Sequence, residues 1–291
     1  MGSAAKVLIF RRLSSTLFAM ATIILGLGIL KTSVHPSNKP QAETSKLLAF
    51  AAPFVAPPRL PLGLHSLDIG KEANISVTAT ATDITKESLK GHLNTWNATT
   101  LCSGGASWLE LAPAYLEYQA GEFSTTDDHP WDKPYHPFIT PPKVSVFFKE
   151  LDMDRKKNWR VLTKASDIDA NGFTIHINSW DDSILYSAIA SWIAYPEDRP
   201  YVFSGTANTQ DIRPSDKIQL KNSKKIDLGG RTFWKTPNVF MAINSLDFGC
   251  EANIRIRVGA TDVTQTGLTW HMDSWSNSVF YSAGVSILAV V

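Results

Sequence analysis

Residues 151–180 read LDMDRKKNWRVLTKASDIDANGFTIHINSW. The same design stands at residues 67–96, LDIGKEANISVTATATDITKESLKGHLNTW, and at residues 246–275, LDFGCEANIRIRVGATDVTQTGLTWHMDSW. In each copy 29 residues separate the Leu of a Leu-Asp pair (Leu67, Leu151, Leu246) from a Trp (Trp96, Trp180, Trp275), with no gap. Asn74, Asn158 and Asn253 share one offset, Asp83, Asp167 and Asp262 another, and His92, His176 and His271 a third. Trp108, Trp192 and Ile287 follow twelve residues beyond each Trp. Spacing held over a whole segment marks a triplication, with repeats of 84 and 95 residues.

Each copy alternates in period two. After Pro58, Pro142 and Pro237 come Leu60, Leu62, Leu64; Val144, Val146, Phe148; and Val239, Met241, Ile243. A second run alternates as Ile75, Val77, Ala79; Trp159, Val161, Thr163; and Ile254, Ile256, Val258. A third follows the turns at Ser88, Gly172 and Gly267, and a fourth runs through Tyr186, Ala188, Ala190 and Trp192 and their equivalents. Side chains of a strand point alternately to its two faces, so these are half-buried antiparallel strands, about six per copy. The fold class is all-β: three tandem six-stranded antiparallel β-sandwich modules. We assign residues 46–118, 119–200 and 201–291 to modules one, two and three.

Residues 1–45 read as an N-terminal targeting or anchor segment and linker. Lys6, Arg11 and Arg12 precede an apolar run from Leu17 to Leu30, with no acidic residue before Glu43. The run is 14 residues long. That is short against the ~20 a membrane-spanning helix needs, and suits a signal-peptide core. The expectation is a secreted chain, or one anchored to a membrane by this segment alone. An atypical first strand of module one is the remaining possibility. The formal net charge of +1 gives no field for nucleic acid or an anionic lipid face. The two cysteines, Cys102 and Cys250, stand at non-equivalent places and read as ordinary thiols.

Residues 142–194 and 237–290 resemble the H-type lectin domain, the module of snail agglutinins and of the C-terminal part of discoidins; residues 58–111 match less well. The resemblance implies a six-stranded sandwich that assembles as a trimer, so the three modules are expected to pack as a single-chain pseudo-trimer. It also implies a lectin for galactose-type sugars, foremost terminal N-acetylgalactosamine, at shallow inter-module sites that gain avidity from multivalency. Carried over, copy two keeps Arg160, Trp180, Asp181 and Tyr186. Copy three keeps Arg255, Trp275, Ser276 and Tyr281. Copy one keeps Trp96 and Asn97 but has Ser76 for Arg and Cys102 for Tyr, so its site reads as degenerate. Further polar contacts are expected from the segments 124–132 and 204–216.

Those residue types suit a saccharide. A guanidinium can grip adjacent hydroxyl oxygens, and an indole packs on the apolar C–H face of a pyranose. Arg160 and Arg255 fall on the outward face because Trp159, Val161, Ile254 and Ile256 alternate inward. The blander readings are a Trp that merely packs at a strand end and an Arg paired with a neighbouring acid.

The three histidines could meet around a threefold axis as metal ligands. No carboxylate or Cys accompanies them at ligand spacing, so packing or hydrogen bonding is expected, with no metal and no cofactor. Asp83, Asp167 and Asp262 read as turn residues. Asn74-Ile-Ser and Asn97-Ala-Thr are glycosylation sequons, usable only in a secreted chain. No nucleophile elbow, phosphate loop or repeated carboxylate pair accompanies the module, so no enzyme is expected. The expected partners are glycans or glycoproteins bearing galactose or N-acetylgalactosamine. The rival reading is a structural or protein-interaction module that has lost sugar binding.

Overall fold

Ile254, Ile256 and Val258 are buried, while Arg255 and Arg257 between them are not, and the same alternation recurs at Leu89, Gly91 and Leu93 and at Trp159, Val161 and Thr163. The computed structural model describes residues 26–32, 42–126 and 137–291. Module one supplies β1 (Gly26–Lys31), β2 (Glu43–Ala49), β3 (Leu62–Ile69), β4 (Ile75–Thr82), β5 (Ser88–Thr95) and β6 (Leu101–Glu110). Module two supplies β7 (Gln119–Ser124), β8 (Pro142–Met153), β9 (Trp159–Ser166), β10 (Thr174–Ser179) and β11 (Leu185–Pro196). Module three supplies β12 (Val202–Asn208), β13 (Lys221–Asp227), β14 (Asn238–Phe248), β15 (Ile254–Thr261), β16 (Gly267–Asp273) and β17 (Phe280–Val290). The position equivalent to β2 in module two falls largely at residues 127–136, outside the described residues. No helix among the described residues is long and apolar enough to cross a membrane.

Every sheet is shared by two modules. Sheet orders are β1-β6-β3-β15-β16-β13, β2-β5-β4-β8-β11-β7 and β10-β9-β14-β17-β12. Half of module one continues into module two through the β4–β8 pair. Module two continues into module three through β9–β14, and module three returns to module one through β15–β3. The cycle is closed, and these six strands spend their ladder hydrogen bonds on each other instead of leaving edges.

The repeated Asn reinforces each join. Asn74 accepts the backbone N–H of Arg155, Asn158 that of Cys250, and Asn253 that of Lys71, so each module caps a turn of the next. Where β3, β8 and β14 pack together, the three equivalent residues differ: Gly63, Phe147 and Ala242. A Cβ on Gly63 would lie 2.4 Å from the Ala242 Cβ and 2.6 Å from the Phe147 ring. One large side chain therefore fills the space that two small ones vacate.

In residues 1–45 the remaining possibility of the sequence reading, a first strand of module one, is realised over Gly26–Lys31. Gly26–Lys31, the end of the run read as a targeting core, forms β1 and pairs with β6 as the first strand of module one. The physical reason lies in Gly28. It sits opposite Trp108, where any Cβ would overlap the indole, as Gly121 of β7 sits opposite Trp192. Residues 1–25 lie outside the described residues.

Candidate functional site

The joins between modules bring the candidate residues together. In each join a residue of the second-strand run faces the Asp of the next module's Leu-Asp pair: Ser76 opposite Asp152, Arg160 opposite Asp247, and Arg255 opposite Asp68. The loop Trp comes from the same module as the Arg. The residue six positions past a Trp comes from the next module, because its strand (β11, β17 or β6) pairs on the far side of the Asp-bearing strand.

This corrects the grouping read from sequence. Tyr281, not Tyr186, lies with Arg160: its phenol is pushed up by burial and by the Glu251 and Asp247 charges, against Arg160. Tyr186 stands at the join of modules one and two, where its hydroxyl donates to Asp154 at 2.7 Å and holds that carboxyl below the usual range. Cys102 stands with Arg255 and Asp68, its thiol pushed up chiefly by burial. The two losses seen in copy one thus fall at two different joins.

The join of modules two and three keeps every residue type. Arg160 Nη1 donates to Asp182 at 2.8 Å and lies 3.3 Å from Asp181, while its Nε lies 3.3 Å from Asp247 Oδ1. That last contact is an ion pair without hydrogen-bond alignment. Asp181 follows Trp180 directly and takes the left-handed conformation (φ 58°), which turns its exposed carboxylate back toward the guanidinium. Burial raises the Asp247 carboxyl, and Arg160 opposes the shift. Nearby, Lys157 pairs with Asp182 at 3.2 Å. The segment 204–216 contributes indirectly: buried Arg213 donates to the backbone carbonyls of Phe280 and Tyr281 and fixes where the Tyr281 strand begins.

The other two joins are altered. Between modules three and one, Arg255 Nε lies 3.4 Å from Asp68 Oδ1, and Nη1 donates to Asn277 at 3.0 Å. The Trp275 indole shares the same carboxylate, which burial raises and Arg255 opposes. Ser276 is exposed there with φ 59°. Between modules one and two, Ser76 and the Trp96 indole both donate to Asp152, at 2.8 and 3.2 Å, and Asn97 donates to Ser76 at 3.4 Å. The Asp of the Leu-Asp pair, which faces Ser76, Arg160 or Arg255 in each join, is the residue of this cluster that sequence reasoning missed. It served only as a marker of the repeat, although a carboxylate held at the same place in three half-buried strands needs a partner.

Residues 45–109, 135–195 and 224–290 each match the H-type lectin domain, together well over half of the chain. The chain belongs to the H-type lectin domain family. A comparison with curated proteins finds none that matches. This H-type lectin protein thus carries, in triplicate, a domain of a carbohydrate-binding family that is not enzymatic.

Its other repeated groups are spent locally. Nε2 of His92, His176 and His271 lies 2.8, 2.7 and 2.8 Å from the hydroxyls of Thr82, Ser166 and Thr261. Those hydroxyls donate to Asp83, Asp167 and Asp262, so the ring nitrogen donates to the hydroxyl. Each histidine binds within its own module, and those aspartates have positive φ of about 50° as turn residues. Among the described residues, no group of three or more His, Cys, Asp and Glu is placed to hold a metal. Two grooves, about 580 and 600 Å³, also open at module joins: one beside Asn244 is lined by residues 204–208 and Asp211 of the candidate segment 204–216, and the other lies beside His65 and Arg257.

Proposed function

We propose that the protein is a lectin for galactose-type sugars, terminal N-acetylgalactosamine foremost, acting as a single-chain pseudo-trimer whose one complete crevice is built by modules two and three. The observation that carries this reading is the meeting of Arg160 and Asp181 of one module with Asp247 and Tyr281 of the next, with Trp180 directly before Asp181 in the chain. Asp247 and Asp182 hold the guanidinium from two sides, leaving it pre-oriented toward a ligand in the loop of Trp180. Exposed Asp181 accepts from sugar hydroxyls, and the indole offers an apolar surface to the C–H face. The closed exchange of strands supports the pseudo-trimer, since covalent linkage substitutes a high effective concentration for association.

Three copies would suggest three-way avidity. Ser76 and Cys102 reduce this chain to one complete crevice and two altered ones. A shallow site with a few hydrogen bonds binds in about the micromolar to millimolar range. No catalytic role is assigned to any residue. A glycan array probed with the full chain is the test: signal on glycans ending in N-acetylgalactosamine or galactose is expected, and a folded chain that binds no such glycan would contradict it.

A second reading is favoured by one observation. Arg160 and Arg255 are both largely enclosed by acceptors of the chain itself, Asp181, Asp182 and Asp247 around one and Asp68, Asn277 and Ser278 around the other. On that reading the joins are structural and the module serves protein contacts. Sugar protection of Trp fluorescence from a soluble quencher separates the two: protection supports the lectin, and its absence the structural module.

A further inference from the structure

The end of the molecule opposite the crevices carries a repeated feature of its own. The backbone N–H groups of Phe54, Phe138 and Phe233 bond the carbonyls of Lys86, Ala170 and Gln265, in the turns that join β4–β5, β9–β10 and β15–β16. These are equivalent bonds in the three modules, and each Phe is followed by an apolar residue held outside the fold. Val55 is 94% exposed, Ile139 100% and Trp234 69%. Leu116, in the turn after β6 at the same end, is 68% exposed. Large apolar side chains held in water at three equivalent positions mark a contact surface, unlike scattered single ones.

The chain itself indicates what covers it. Gly26 pairs with Glu110, the last residue of β6, so β1 enters the fold at this same end. The 25 residues before it include the apolar run from Leu17 and the cations Lys6, Arg11 and Arg12. Beside the three tips stand Lys86 and Lys235 against exposed Asp83, Glu87, Asp167, Asp169 and Asp262, an acidic balance that disfavours anionic headgroups. Lys235 lies over the Trp234 ring, 4.7 Å from its centroid, an arrangement suited to the water–lipid boundary.

We propose that Val55, Ile139 and Trp234 dock this end onto a bilayer of net-neutral phospholipid, with the segment before Gly26 as a second attachment and the glycan crevices facing away from the membrane. A single weak attachment is reversible, and two together hold. Three separate tips on one end of a ring suit a fluid plane better than a groove.

The test uses the full chain bound to phosphatidylcholine vesicles in which part of the lipid carries brominated acyl chains, a short-range quencher of Trp fluorescence. The wild type is expected to show a quenched component that disappears in Trp234→Phe and shrinks in Val55→Asp/Ile139→Asp. The proposal is overturned if the chain does not float with vesicles or shows no quenching. It is also overturned if Trp234→Phe leaves the quenching unchanged, or if Trp234 instead mediates pairing of two chains in solution. Retention on galactose resin is measured in parallel for every variant. It is expected to be unchanged, so a failure here is distinct from a failure of the lectin reading.

Discussion

Arg160 of module two and Asp247 of module three face each other across the β9–β14 pair, with Nε 3.3 Å from Oδ1. The candidate site therefore belongs to a junction between modules. Replacing Asp247 by Asn keeps the shape and removes the charge. About 1–3 kcal/mol of stability should be lost, since a half-buried guanidinium loses part of its compensation. Urea denaturation reads that loss, and retention on galactose resin should weaken with it.

Cys102 occupies the place that Tyr281 holds in the complete crevice, beside Arg255 and Asp68. Cys102→Tyr should complete a second crevice with Arg255 and Trp275. Titration calorimetry should then give two sugars per chain where the wild type gives one. An unchanged stoichiometry in a folded variant would show that the phenol is not what the altered crevice lacks.

Phe147 fills the meeting point of the three modules, against Gly63 and Ala242. Phe147→Ala should cost about 3–5 kcal/mol through the cavity it leaves. Chemical denaturation should show one cooperative transition that moves as a whole, because the modules share their sheets. Separate transitions for separate modules would contradict the strand exchange.

His65 is buried, and desolvation with the nearby Lys31 charge pulls its imidazole from 6.5 down to about 4. Between those values the unfolded chain binds a proton that the folded chain does not. Stability is thus full above about pH 6.5 and drains as pH falls toward 4, by on the order of 3 kcal/mol at most. Asn244, at the equivalent position, bonds Ser286 where His65 bonds Ser107. His65→Asn should therefore fold and lose less stability between pH 7.5 and 5 than the wild type, by denaturant titration at both values.

What could be read in advance followed the physics of single strands. The Leu-Asp to Trp spacing and the alternation of Trp159, Arg160 and Val161 are local, so the strands, the triplication and the outward arginines were legible. β1 was legible only as the remaining alternative to a targeting segment, because Leu27, Ile29 and Leu30 continue an apolar run and only Gly28, facing Trp108, marks a strand. The pairing of Tyr281 with Arg160 was hidden for another reason. Offsets within a copy say which residues are equivalent, not which neighbour's strand lies across the sheet. Asp68, Asp152 and Asp247 were visible as a repeat, but their partners belong to other modules.

The most direct measurement is titration calorimetry of the full chain with N-acetylgalactosamine, on the wild type, Arg160→Ala and Arg255→Ala. One sugar per chain is expected, abolished by Arg160→Ala and little changed by Arg255→Ala. Three equal sites, or binding that survives Arg160→Ala, would contradict a single complete crevice shared by modules two and three.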